Sequence, residues 1–240
     1  MKLLSRLVLL AAVIALLMLL FAGPGTRLEF WDFRFGFTLM RWALYIGVSA
    51  ALLGLVLLLI PRTRSGNVSA LVAAMVIALG TAAVPFLLAQ QAQSLPRIHD
   101  ITTDTHNPPQ FIAVEPLRAD APNPIEYEGE EIARQQREAY PDIVPLETDV
   151  YPAIVFDRAL ETAQTMGWEI VAADADNGRI EATDTTFWFG FKDDVVIRIQ
   201  GSNGGSRVDV RSKSRVGLSD VGANAARIRS FLDALDERLH

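Results

Sequence analysis

Three apolar stretches crowd the first 95 residues, each close to the roughly 20 residues that carry a helix across a bilayer. Leu7 to Phe21 is unbroken, and Leu3 and Leu4, beyond Ser5 and Arg6, extend the first stretch to residues 3–22. Residues 42–60 and 68–89 contain no charge; the second stretch stops at Pro61, and the third carries Pro85, which a membrane helix tolerates where neighbours satisfy the freed carbonyl. A chain that begins this way must place its N-terminal part in lipid. Lys2 and Arg6 would also suit a secretory signal, but Pro24 directly after Ala22 and Gly23 makes a poor cleavage site, so an uncleaved span is expected.

The averages hide two unlike parts. Mean hydropathy is +0.24 although 21% of residues are charged. Residues 1–95 hold 7 basic and 2 acidic side chains, whereas the rest of the chain holds 15 and 26. The sequence divides into a membrane region (1–95), a Pro-rich extended arm with a short helix (96–150) and a folded core (151–240). Because nucleic-acid binding is dominated by cations meeting phosphate, the acidic second part argues against that partner. The absence of cysteine removes a thiol nucleophile, cysteine-ligated metal and any disulfide. With no charge inside the second and third spans, transport lacks its usual intramembrane ionisable groups. The bilayer itself is the first partner the sequence implies, and no cofactor is expected.

Between the first two spans, residues 23–41 interleave Phe30, Trp31, Phe33, Phe35 and Phe37 with Arg27, Glu29, Asp32 and Arg34. Such a mixture suits the headgroup layer and reads as an interfacial connector. Loop cations show no numerical bias, since Lys2, Arg6, Arg62 and Arg64 fall on one side and Arg27, Arg34, Arg41 and Arg97 on the other. A first span preceded by Lys2 and Arg6 holds its amino terminus inside, and three spans then leave the C-terminal domain outside the cytoplasm.

Beyond the spans, turn-rich residues 98–124 read as an extended arm and Glu130 to Arg137 as a surface helix. A helix from Ala153 to Met166 ends at Gly167. Four strand patterns follow, over 168–172, 179–189, 195–200 and 207–214, and a helix over 220–239 closes the chain. This order predicts an α+β fold, an antiparallel four-stranded sheet backed by two helices.

The segment Arg97 to Thr105, Asn107-Pro108-Pro109, Thr186 to Ile199 with Trp188-Phe189-Gly190-Phe191 and Asp193-Asp194, and Arg211 to Gly217 resemble the bacterial family catalogued as domain of unknown function 1499. The resemblance covers residues 97–240. It implies an envelope protein, often with membrane spans ahead of the domain, here a multi-pass protein of the bacterial inner membrane. It supplies no established activity, so no catalytic residue is carried over.

Three groups of residues are candidates for chemistry. His99, Asp104 and His106, with Asp100 between them, are metal-ligand types, but they lie in an irregular arm and match no standard zinc spacing, so a structural arm is the competing reading. Trp188 and Phe191 belong to an aromatic run of which only alternate members can face a core; the surplus would lie under a helix or arm, line a groove or touch the bilayer. Asp193-Asp194 reads as a hairpin turn. Arg211, Lys213 and Arg215 alternate on one strand face, joined by Arg227 on the last helix; they either pair with the acidic arm or form an anion site for a lipid headgroup. With no phosphate loop, nucleophile elbow or Ser, His and carboxylate set, the sequence favours a binding or scaffolding module for anionic lipid or an envelope protein partner. The alternative is a metal-dependent or hydrolytic envelope enzyme using the His/Asp arm.

Overall fold

The computed structural model describes residues 2–240; Met1, where the expected membrane region begins, lies outside them. The chain forms two compact units, one made of residues up to Gln93 together with Phe187–Gly190, the other of Ser94–Thr186 and Phe191–His240.

The first unit is a helical bundle. Helices α1 (Lys2–Arg27), α2 (Phe33–Leu59) and α4 (Val68–Ser94) are long, and the four-residue α3 (Pro61–Arg64) lies in the loop before α4. The three long helices are each long and apolar enough to cross a membrane. Lipid offers no hydrophobic drive between helices, so close packing through small residues must hold them. Ala43, Gly47, Ala50 and Gly54 supply it on α2, Ala12 on α1, and Ala74 and Ala78 on α4, all buried. At Gly47 a β-carbon would come within 2.8 Å of the Ala78 carbonyl oxygen.

The expected connector over residues 23–41 is mostly helix instead. α1 continues through Pro24 to Arg27, and α2 starts at Phe33, capped by Asp32 Oδ1 accepting from Arg34 N at 2.9 Å. The charges mark helix ends here rather than a separate segment. Glycines explain the sequence Gly23-Pro24-Gly25, since a β-carbon at Gly25 would collide with the Trp31 indole and one at Gly23 with that of Trp188. Gly25→Leu is therefore expected to weaken the bundle by about 1–3 kcal/mol, the usual range for overpacking. A lower melting temperature of the detergent-solubilised protein would show it; an unchanged one would mean that Trp31 moves aside without cost.

The second unit is α+β, but its antiparallel sheet has six strands where four were expected. In chain order it contains β1 (Asp100–Thr102), a 3₁₀ turn (Glu115–Arg118), α5 (Glu130–Ala139), β2 (Leu146–Thr148), α6 (Pro152–Thr165), β3 (Glu169–Asp174), β4 (Arg179–Thr185), β5 (Lys192–Ser202), β6 (Gly205–Ser214) and α7 (Ala223–Leu239). The sheet order is β1-β6-β5-β4-β3, with β2 also pairing β6. The two additional strands are three residues each, too short to show alternation, and both come from the region read as arm. β1 lies along residues 211–213 of β6 and β2 along 206–208.

Turn chemistry holds the meander in register. Asn203 and Gly204 both adopt positive φ, +46° and +91°, as a two-residue hairpin loop requires. Gly167, at φ +81°, ends α6 as its position suggested. α6 and α7 cover one sheet face with Val155, Ala159, Ile228, Phe231 and Leu235 against Ile180, Val195, Ile197, Val208 and Val210. Trp168 stacks on Phe231 at 5.3 Å within this core. β4 stops at Thr185 rather than Phe189, because Thr186 and Phe191 close a loop, Thr186 N donating to Phe191 O at 2.8 Å.

Candidate functional site

Strand alternation puts Val208, Val210, Ser212 and Ser214 of β6 toward the helices and Arg207, Asp209, Arg211 and Lys213 on the other face. An open sheet would leave those charges in water. Instead the arm lies over them, and Asp209, Arg211 and Lys213 have no exposed surface. Cross-strand register supplies further charges on the same face: Asp194 stands opposite Lys213, and Arg198 opposite Asp209.

Asp100 is the centre of the first cluster. Arg211 grips it with both arms of the fork, Nε to Oδ1 at 2.9 Å and Nη2 to Oδ2 at 2.8 Å, and Lys213 Nζ lies 3.0 Å from Oδ2. The other donors reach the arm, Arg211 Nη1 to Pro109 O at 3.2 Å, Nη2 to Ile125 O at 3.0 Å and Lys213 Nζ to Glu126 O at 2.6 Å. The guanidinium also lies over the rings of Phe111 and Tyr127, 4.8 and 5.4 Å from their centroids. Burial, and then the negative Asp100, push the Tyr127 hydroxyl up to about 12 against the opposing pull of Arg211, so it stays protonated.

Asp194 organises the second cluster. It accepts from Arg215 Nη2 at 2.7 Å, Arg118 Nη1 at 2.6 Å and Thr183 Oγ1 at 2.7 Å. Burial alone would raise its pKa, but the bonds from Arg215, Thr183 and Arg118 outweigh that and hold it below the usual carboxylate range. Arg118 further ties the arm by donating to Asn123 O and Ser214 O. Glu181 on β4 accepts from the backbone N–H groups of Ile112 and Val114, each at 3.0 Å, and so pins the middle of the arm.

Asp193 and Asp194 are thus not a turn. They are consecutive β5 residues on opposite faces, and Asp193 meets Arg227 Nη2 at 2.6 Å on the helix side. Arg227 also binds Asp184 at 2.7 Å and Ser212 Oγ at 3.0 Å. Beside it Asp220, raised by burial and by the charge of Asp193, accepts from Gly222 N and Asn224 N at the start of α7.

The three residues weighed as metal ligands are not brought together. His99 Nε2 lies 3.0 Å from Glu128 Oε1, off the line of a hydrogen bond. Asp104 Oδ1 accepts from His106 N and Asn107 N to close a turn, and its Oδ2 meets Arg198 at 3.1 Å; burial opposes these contacts, yet its pKa is lowered. The His106 side chain is exposed. Among the described residues no group of three or more His, Asp or Glu could hold a metal. Trp188 belongs to the helical unit, 5.5 Å from the ring of Phe189, and Phe191 to the sheet unit.

The cations chosen from sequence therefore meet acids of their own chain. Arg118, Glu181 and Gln136 escaped notice because they sit alone in irregular or mixed segments. Gln136 completes the sheet edge as a strand would, donating to Thr102 O at 2.6 Å and accepting from Thr102 N at 3.0 Å. The detectable signal was the strict alternation of charge over residues 207–215, which requires a polar cover if both faces are buried.

No curated protein matches this sequence. A family described as protein of unknown function (DUF1499) matches residues 100–235, from Asp100 in β1 to Leu235 in α7, and so spans both charge clusters and the helices behind them. The chain belongs to that family.

Proposed function

We propose that this protein is a multi-pass component of the bacterial inner membrane whose C-terminal domain lies outside the cytoplasm and acts as a binding or scaffolding module rather than a catalyst. The observation that supports this best is how the charge is used. Arg211, Lys213, Arg215 and Arg227 each bind an acid of their own chain, and the contacts of Arg211 and Lys213 fasten the arm across the sheet. Groups held this way stiffen a surface; they do not present a nucleophile or base to a substrate. The partner best suited to a stiff, membrane-tethered module is another envelope protein.

Two measurements test the reading. A reporter active only outside the cytoplasm, fused after His240, is expected to be active, and activity of a cytoplasm-only reporter at that position would reverse the orientation. Cross-linking in cells followed by extraction in mild detergent is expected to retain the chain in a complex larger than its own 26.3 kDa. Migration as the bare chain would remove the scaffolding role.

A further inference from the structure

The helical unit contains Phe187–Gly190, and Phe187 is 90% exposed, the most of any large apolar side chain among the described residues. One face of its ring carries the Arg27 guanidinium at 5.9 Å, and Arg27 Nη1 donates to the Phe187 carbonyl. Trp188 lies over Gly23, and Phe189 packs 5.1 Å from Phe37. This places the loop where α1 ends and α2 begins. Leu28 and Phe30 are also exposed there, and Arg34 reaches outward from the first turn of α2. At a water-facing end such an apolar group would be costly. At the end of a membrane helix bundle it matches the headgroup layer, where aromatic rings lie among acyl ends and guanidinium groups meet phosphates.

We propose that Phe187 is a lipid anchor: the loop between β4 and β5 inserts its tip into the bilayer interface, at the level of the headgroups. What supports a lipid surface rather than a protein groove is that the loop packs at the ends of helices long and apolar enough to cross a membrane. The inference requires the long helices to lie in a bilayer, and it holds for either orientation of the protein across it.

The chain has no cysteine, so a single thiol can be placed at will. Full-length Phe187→Cys and, as a reference at the opposite end of the sheet, Tyr151→Cys, which is 70% exposed, would carry a polarity-sensitive fluorophore in vesicles of mixed zwitterionic and anionic phospholipid. Both positions are exposed, so both variants should fold. The label at 187 is expected to emit further to the blue than that at 151, to be quenched by nitroxide-bearing lipid and to resist aqueous iodide. Equal iodide quenching at the two positions would overturn the proposal. Failure of the protein to sediment with vesicles at all would instead refute the membrane location on which the inference rests.

Discussion

Replacing Asp100 by alanine is expected to destabilise the α+β domain more than any other single charge removal. Arg211 and Lys213 have no exposed surface and share this one carboxylate, so the variant leaves two cations buried beside a single partly exposed acid, Glu128, 3.5 Å from Lys213. Breaking a buried pair by removing one partner costs about 3–5 kcal/mol. For a domain of this size that is a large share of the total stability. Asp104→Ala should cost much less, because Asp104 is partly exposed and Asp209 remains to hold Arg198 and Arg207. Thermal melts of the full-length variants, followed through the fluorescence of buried Trp168, would compare them. Equal losses would mean that water reaches the Asp100 site and screens the orphaned cations.

Acid should unfold the same domain within a narrow range. The Asp194 carboxyl lies below its ordinary value in the folded protein, so the unfolded chain takes up a proton first. The stability it contributes is complete above the unfolded value of about 4 and is lost as pH falls through the lower folded value. Asp104 acts in the same direction. Asp220 acts in the opposite one, because its raised folded value makes ionisation unfavourable, so acidification toward about pH 4 relieves a cost at that site. Melting temperature is therefore expected to hold level or rise slightly as pH falls from 7 to about 5, and to drop steeply below about 4 once protonated Asp194 no longer balances Arg118 and Arg215. Asp194→Asn should lower stability at neutral pH and flatten the acid limb. An acid limb unchanged in this variant would assign the transition to other carboxylates.

The membrane helices and the central meander could be read from the residues because their signals are local. A run such as Leu7 to Phe21 needs no partner to be recognised, and the alternation of Val195, Ile197 and Ile199 announces a strand half covered by helices. What escaped reading depended on distant residues. Nothing near Asp100 or Leu146 announces a strand, because each short strand exists only as an addition to β6. Glu181, flanked by Ile180 and Ala182, looks like the solvated side of a strand until the Ile112 and Val114 amides arrive from 69 and 67 residues away. Arg211, Lys213 and Arg215 alternate along one strand, yet a row of cations looks the same whether it awaits a headgroup or an aspartate far back along the chain. The adjacent Asp193 and Asp194 resemble a turn because neighbouring acids rarely both enter a buried strand; here Asp193 meets Arg227, and Asp194 meets Arg118 and Arg215.

The long reach of the Asp100 to Arg211 pair, 111 residues, also sets an order of events during synthesis. The arm leaves the ribosome well before its counterions, and until β6 has been made it has neither a strand to pair with nor cations to neutralise it. Residues 96–150 carry 12 acidic and 4 basic side chains, so this waiting segment repels itself and stays extended rather than collapsing onto the nascent core. Its docking is a late, non-local closure of high contact order, and the rate of maturation should be governed by the arrival of the last strand rather than by the helices that precede it.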